Sequence, residues 1–557
     1  MSSDDISILP PQGSARRAAL ALMIFVPLAW GALAVWLGQS TAWDLRNYHW
    51  YNAYAYLNGR MESGGDFLPS QMQFFLNPWI DIPYYLLATH LPLRLATFIL
   101  GAGQGLNFAL LFLIAQATLF LRDPLRKTLA CGAVALVGMT GAVGLSEAGT
   151  VFYDNITSLG ILLSLLLLAR QLAALDTGPW RQAAKIALAA GLPAGLVTGL
   201  KLAAAPWCLG IAVALVALAR KNPRPSRALA PAFFFSLGAA QGFALAYGHW
   251  AWHLYSLYHS PLFPYFNDIF RSPYIPPQPI RGFAAPNTVM GQVLFPFLFA
   301  TEPRLVIETD WRDWRIPVLY AAMFALAALR LARPRLLQWG ASSAARPSAF
   351  LFWTAAVGYA GWLYSDATYR YLLPLEMLAP LLLVMGAGLL PLPEKARWAG
   401  LAALGLALAL TVQPSDWGRR PSWPEQITEV TRPDLPDDPQ LMILMAGTEA
   451  YAHMLPAFPP HINFVRIDNR AFSPASGWGI IDLIRARIAA HHGQFMLLAP
   501  QADVPGAQKA LDIFGLKALP KSCREVIDRF GDKLPPGYAP NGGLVPVHFS
   551  LCDVRRR

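Results

Sequence analysis

Charge is what this chain has least of. Only 14% of its 557 residues are Asp, Glu, Lys or Arg, against roughly a quarter in soluble globular domains, and 55% are apolar. That balance excludes an ordinary soluble enzyme. Bases outnumber acids, 44 to 33, for a net charge of +11, but they form no clustered stripe, so nucleic acid is not a partner the charge points to. Cysteine is scarce at four, and no HExxH or CxxC motif is present to hold zinc. No glycine loop has the spacing that cradles phosphate; GTEAY at 447–451 lacks it. GAGQG at 101–105 lies in an apolar run, where close helix packing is the plainer role. No Ser-His-Asp spacing stands out.

Long apolar runs are what the chain has instead, and its mean hydropathy is +0.37. Spans of about twenty residues are expected near 18–38, 95–120, 128–146, 156–174, 184–200, 204–219, 229–248, 316–333, 347–364, 372–391 and 397–413, about eleven in all. The first run is longer than a signal-peptide core and reads as a retained anchor. Basic clusters then fall at every second connection: Arg16 and Arg17; Arg122, Arg126 and Lys127; Arg170, Arg181 and Lys185; Arg220, Lys221, Arg224 and Arg227; Arg330, Arg333, Arg335 and Arg346; Lys395 and Arg397. The positive-inside rule puts the N-terminus in the cytoplasm. It puts Asp44, Glu147, Asp154, Lys201, Asp366 and everything after Val412 on the opposite side. Trp79–Leu91, WIDIPYYLLATHL, would reverse that pattern as a span. It is expected to lie along the surface, inside a long outer loop over 39–94.

A second outer loop, 249–315, is rich in aromatics and proline and suits a functional lid. Its end, ETDWRDWR, suits an interface anchor. From about residue 414 the composition becomes soluble in character. LMILMAG, QFMLLAP and LVPVHFSLCDV read as strands, GIIDLIRARIAAHHG and AQKALDIFG as helices, so a small α/β domain is expected over 414–557. The fold class is then an α-helical polytopic membrane protein over 1–413 with a C-terminal α/β domain. Cys131 and Cys208 lie in apolar runs as packing residues. Cys523 and Cys552 are expected to form a disulfide if the tail meets an oxidising compartment.

Ionisable residues beside spans are functional candidates. In TAWDLRNYHWYNAYAYLNGR (41–60), Asp44 comes directly after the first span. Read as an α-helix, the stretch puts Asp44, Asn47, Tyr48 and Tyr51 on one face at i, i+3, i+4 and i+7. Asp154, in SEAGTVFYDN, is a second acid close to Glu147. Lys201 between apolar runs suits a phosphate or a snorkelling role. Arg370 can grip phosphate with two donors or bridge to Asp366. His249 and His253 have the i, i+4 spacing of a helical metal pair, although structural histidines are commoner. Asp44 with Asp154 or Glu147 could hold a hard divalent cation through oxygens.

Taken in order, a span, an outer loop opening on an acid, surface helices, a second acid in the next outer connection and RYLLP opening a late span resemble the GT-C superfamily of integral-membrane glycosyltransferases. WDLRNYHWYNAYAYLNGR and FLNPWIDIPYY are similar to bacterial polytopic members grouped with polyprenyl-phosphate mannosyltransferases. The resemblance covers roughly 18–412. It implies an inner-membrane enzyme with a periplasmic tail, moving a sugar from a polyprenyl-phosphate donor to a glycan or glycolipid acceptor. It implies Asp44 as general base or metal ligand with Asp154 as the second acid. No cofactor is required with certainty, and a divalent cation such as Mg or Mn is an option. Asp44 is followed by Leu45 and Arg46, not by the second acid some members carry, which weakens the metal route. Lys201 and Arg370 would hold the donor phosphate, and Asn47, Tyr48, Tyr51, His249 and His253 would bind substrate. The competing readings are a transporter or flippase of lipid-linked sugars and a non-catalytic scaffold for envelope assembly.

Overall fold

A computed structural model describes residues 13–219, 225–333, 345–420, 422–533 and 544–557; Arg220, Lys221, Arg224 and Arg335 of the basic clusters fall outside them. The helices are α1 Ser14–Trp36, α2 Trp50–Leu57, α3 Ile82–His90, α4 Leu93–Thr118, α5 Pro124–Met139, α6 Ala142–Ser146, α7 Asp154–Thr177, α8 Trp180–Leu200 and α9 Ala205–Ala219. They continue with α10 Pro225–Tyr258, α11 Asn267–Phe270, α12 Val289–Thr301, α13 Arg315–Ala332, α14 Ala345–Ser365, α15 Leu373–Gly388, α16 Glu394–Leu410, α17 Ile480–Ala490 and α18 Val504–Ile513. Among the described residues, seven helical segments are long and apolar enough to cross a membrane: α1, α4, most of α7, α8, most of α10, α13 and Tyr369–Gly388. The other four expected windows fall on α5, α9, α14 and α16, of which α5, α9 and α16 have 16, 15 and 17 residues. α3 has nine residues, about 13 Å of helix, too short to cross a hydrocarbon core.

The bundle is apolar on its outside as well as its inside. Ile24, Phe25, Phe233, Leu245, Phe324 and Leu406 are all more than half exposed, an apolar outside of the kind that suits a hydrocarbon solvent. Small residues let helices touch backbone to backbone. Gly101 and Gly105 of α4 lie against Ala34, Pro27 and Trp30 of α1, where a Cβ would collide. Gly191, Gly195 and Gly199 of α8 face Phe235, Ala239 and Phe243 of α10, and Gly238 and Gly242 return the contact. Gly101 and Gly105 of GAGQG therefore pack helices.

The tail carries a mixed sheet of β3 Val430–Thr431, β4 Met442–Met445, β5 Asn463–Arg466, β6 Phe495–Pro500, β7 Leu516–Ala518, β8 Arg524–Lys533 and β9 Leu544–Arg556, in the order β3-β8-β9-β6-β4-β5 with β7 beside β9. β5, β4 and β6 are parallel; β9, β8 and β3 add in antiparallel fashion. β6 is buried along its whole length, as its unbroken apolar run requires. α17 buries Ile480, Ile481, Ile484 and Ile488, a stripe of helical period. A disulfide joins Cys523, just before β8, to Cys552 on β9.

The tail does not own its core. Tyr51, Phe67, Phe75, Trp250 and Tyr258 pack in one cluster with Met442–Met445, Phe464 and Leu497. Phe67 lies beside Val465 as an extra rung on the β5 edge: Phe67 donates to the Phe464 carbonyl at 2.8 Å, and Arg466 donates to the Phe67 carbonyl at 3.0 Å. A short ribbon pairs Gln39 and Ser40 with Arg420 and Arg419. Segments 39–94 and 249–315 are thus the floor on which the tail sits.

Three expectations are corrected. α10 runs to Tyr258, because HWAWHLYSLY keeps helical packing past the apolar run, so His249 and His253 stand on a helix and not in a loop. Loop 249–315 contains α11 and α12. ETDWRDWR is no simple interface anchor: Asp313 and Arg315 are buried and paired, and Arg315 also donates to the Val137 and Thr140 carbonyls at 3.0 Å each.

Candidate functional site

Four helix ends meet at one end of the bundle. Asp44 lies just after α1, Asp154 opens α7, Lys201 closes α8 and Arg370 sits just before α15. Arg16 and Arg17 at the start of α1, Arg181 at the start of α8 and Lys395 after α15 lie at the other ends of these helices. Arg370 donates from Nη1 to Asp44 Oδ2 at 3.2 Å, and the Tyr48 hydroxyl donates to the same oxygen at 3.2 Å. Lys201 Nζ donates to Asp154 Oδ1 at 2.7 Å and to the Phe152 carbonyl at 2.8 Å. The Asp44 side chain keeps 15% of its surface exposed and Lys201 keeps 19%, so both ion pairs are reachable.

The alternative partner for Arg370 is otherwise engaged. Asp366 accepts from the Gly282 amide at 2.8 Å and the Thr368 hydroxyl at 2.6 Å. Arg370 instead lies 4.3 Å from the centre of the Phe152 ring and 5.8 Å from that of Trp417, while Lys201 sits 5.1 Å from the Tyr371 ring. Aromatic faces hold both cations without neutralising them. A small recess beside Arg370 is lined by Asp154, Arg370 and Tyr371 on its polar side and by Ile161, Trp207 and Pro374 on its apolar side.

The stretch 41–60 is not the single α-helical face its spacing suggests. Leu45–His49 is a π-helical turn, which widens the helical repeat and rotates the later residues of the stretch away from Asp44. Tyr48 stays with Asp44. Asn47 donates to the Ser70 carbonyl and Gln73 Oε1 at 3.2 Å each, tying down the outer loop. Tyr51 is fully buried and donates to Asp66. Asp66 is held by Arg60 Nε at 2.6 Å and by the Phe464 amide at 2.7 Å. Neither Asn47 nor Tyr51 faces the Asp44 pair. His249 stacks on Trp79 with ring centres 3.8 Å apart, and His253 on Trp250 at 4.6 Å. Among the described residues, no hydrogen bond or ring contact joins either histidine to Asp44, Asp154, Lys201 or Arg370.

The structure adds three residues that the sequence reading does not single out for the site. His49, on the π turn, meets Asp81 at 2.6 Å through Nδ1, and its Nε2 has no partner among the described residues. Burial, then Lys201 and Arg370, push the His49 ring well below its ordinary value, and burial pushes the Asp81 carboxyl well above its own. Both shifts favour the uncharged pair, a carboxylic acid beside a neutral imidazole. Tyr153, in the left-handed region at φ 64°, directs the chain into α7, and its ring packs edge-on to His49 at 5.0 Å. The signal was present: Asp81 and His49 both lie in the stretches that carry the family resemblance. Pairing across 32 residues is not visible in either stretch alone.

No group of three or more His, Cys, Asp or Glu side chains converges among the described residues, and Lys201 and Arg370 already place positive charge against the acids. The arrangement sets two cations, each paired with an acid, at one end of the bundle. Comparison with family models, curated proteins and solved structures finds no match to this chain.

Proposed function

We propose that this protein is an inverting, polyprenyl-phosphate-sugar-dependent glycosyltransferase of the GT-C kind, working at the non-cytoplasmic face of a bacterial inner membrane with about eleven spans. The observation that supports the reading is the convergence of Arg370 and Lys201 at a small recess with an apolar wall. The recess sets Arg370, with Lys201 just behind Asp154, against Ile161, Trp207 and Pro374. A phosphate on a hydrocarbon chain needs that combination, and a free sugar or peptide does not.

An arriving lipid phosphate competes with Asp44 for Arg370 and with Asp154 for Lys201, and releases Asp44 to act. The acceptor hydroxyl gives its proton to Asp44 as its oxygen bonds to C1 of the sugar. The bond from C1 to the phosphate oxygen breaks on the opposite face, and polyprenyl phosphate leaves as an anion held by the two cations. Tyr48 orients the Asp44 carboxylate through their hydrogen bond.

In membrane vesicles supplied with a panel of polyprenyl-phosphate sugars, the wild type is expected to release polyprenyl phosphate. Asp44→Asn is expected to lose about 100-fold or more of that rate, the usual contribution of a general base. Full activity in Asp44→Asn would sink the assignment. Lipid that changes leaflet without being consumed would favour a flippase instead.

A further inference from the structure

Glu147 is the acid that neither ion pair uses. It is fully buried, and neither carboxyl oxygen has a hydrogen-bond partner among the described residues. Its side chain faces Asp154, whose Oδ1 holds Lys201 and whose Oδ2 also lacks a partner there. Two ionised carboxylates side by side, both buried, repel each other, and among the described residues only Asp154 Oδ1 has a donor. The segment cannot swing Glu147 out to solvent. Gln104 of α4 donates to the Glu147 and Thr150 carbonyls at 3.4 and 3.0 Å and accepts from the Gly149 amide at 2.7 Å. Arg419, at the start of the tail, donates to the Ser146 and Ala148 carbonyls at 2.7 Å each.

We propose that Glu147 and Asp154 hold one proton between them, and that Glu147 is a positioning residue that sets how tightly Asp154 keeps Lys201. The second half rests on the reading of Lys201 as a phosphate holder. With the proton in place, the carboxyl pair carries one negative charge and Lys201 is free to turn to an anion. With the proton gone, two negative charges hold Lys201 and repel the incoming phosphate.

The charged groups around Glu147 are Asp154 on α7, Lys201 after α8, Arg370 before α15 and Arg419 on the tail linker; α4 presents only the neutral Gln104. Burial first, and Asp154 second, push the Glu147 carboxyl well above its ordinary range. The proton is therefore present below that raised value and is lost as pH rises through it.

Two measurements on the full chain in detergent test this. Infrared difference spectra over a pH titration are expected to show a carboxylic-acid band that disappears in Glu147→Gln and in Asp154→Asn. Binding of farnesyl phosphate, read by tryptophan fluorescence, is expected to weaken about tenfold per pH unit above the transition in the wild type. Glu147→Gln, which keeps a neutral donor beside Asp154, is expected to hold its acid-pH affinity into the alkaline range. The lipid's own titration is common to both proteins and cancels. Absence of the acid band overturns the shared proton. Identical pH profiles in wild type and Glu147→Gln overturn the positioning role. If neither protein binds the lipid while the acid band is present, the phosphate reading fails, the positioning role falls with it and the shared proton stands.

Discussion

At the scale of single residues, the most consequential side chains are charges that the fold has removed from water. Arg60 and Asp66 show the logic. Asp66 is almost completely buried, and Arg60 reaches it with two nitrogens while also donating to the Pro460 carbonyl at 2.7 Å and to the Ile462 carbonyl. One ion pair thus fastens the first outer loop to the tail. Removing one partner leaves the other charge buried and alone, which costs about 3–5 kcal/mol. Arg60→Ala is expected to lower thermal stability in detergent by an amount of that order. The double variant Arg60→Ala/Asp66→Asn is expected to recover part of it, because no bare carboxylate remains. A double variant no better than the single one would mean that Arg60 acts through packing alone.

At the scale of elements, helix contacts are decided by which glycines meet a neighbour. Gly195 of α8 lies so close to the Ala239 backbone that any side chain must push α10 away, whereas Gly103 of α4 has open space where a side chain would go. Gly195→Leu is expected to separate α8 from α10 and to lower the unfolding temperature sharply. Gly103→Ala is expected to be neutral or to stabilise by up to about 1 kcal/mol through helix propensity. Circular dichroism melts of the two variants test this directly. Both glycines sit in apolar runs with small neighbours, so sequence alone ranks them alike. The π turn over Leu45–His49 is a similar case. Its residues are compatible with an α-helix, and only the contacts of Asn47 with Ser70 and of Tyr51 with Asp66 reveal that the face has rotated.

At the scale of the whole molecule, the tail and the outer loops form one structure around the site. Trp417 packs on Phe152 with ring centres 4.8 Å apart, beside Arg370, and Arg419 clamps the segment that carries Glu147. A chain ending at residue 413 is therefore expected to lose binding of farnesyl phosphate even where its helices remain. The separate 414–557 fragment is expected to expose apolar surface, since Tyr51, Phe67, Phe75 and Trp250 supply part of its core. Limited proteolysis of the fragment checks this; a resistant, monodisperse fragment would show that the tail folds unaided.

Features that depend on neighbouring residues were legible in the chain alone. Apolar runs placed the helices and, in the tail, β4, β6 and β9, and helical patterns located α17 and α18, while β3, β5, β7 and β8 stand out in no such run. These are local signals, because hydropathy and periodicity are read over some twenty residues at a time. Asp44, Asp154, Lys201 and Arg370 stood out for the same reason, as charges at the edges of apolar runs. Which of them meet became visible only in the folded chain. Asp44 and Arg370 pair across 326 residues and His49 finds Asp81, while Glu147 lies against Asp154 with no donor of its own among the described residues. Pairing of that kind is set by how helix ends converge, a property of the packed bundle that no stretch of the chain carries alone.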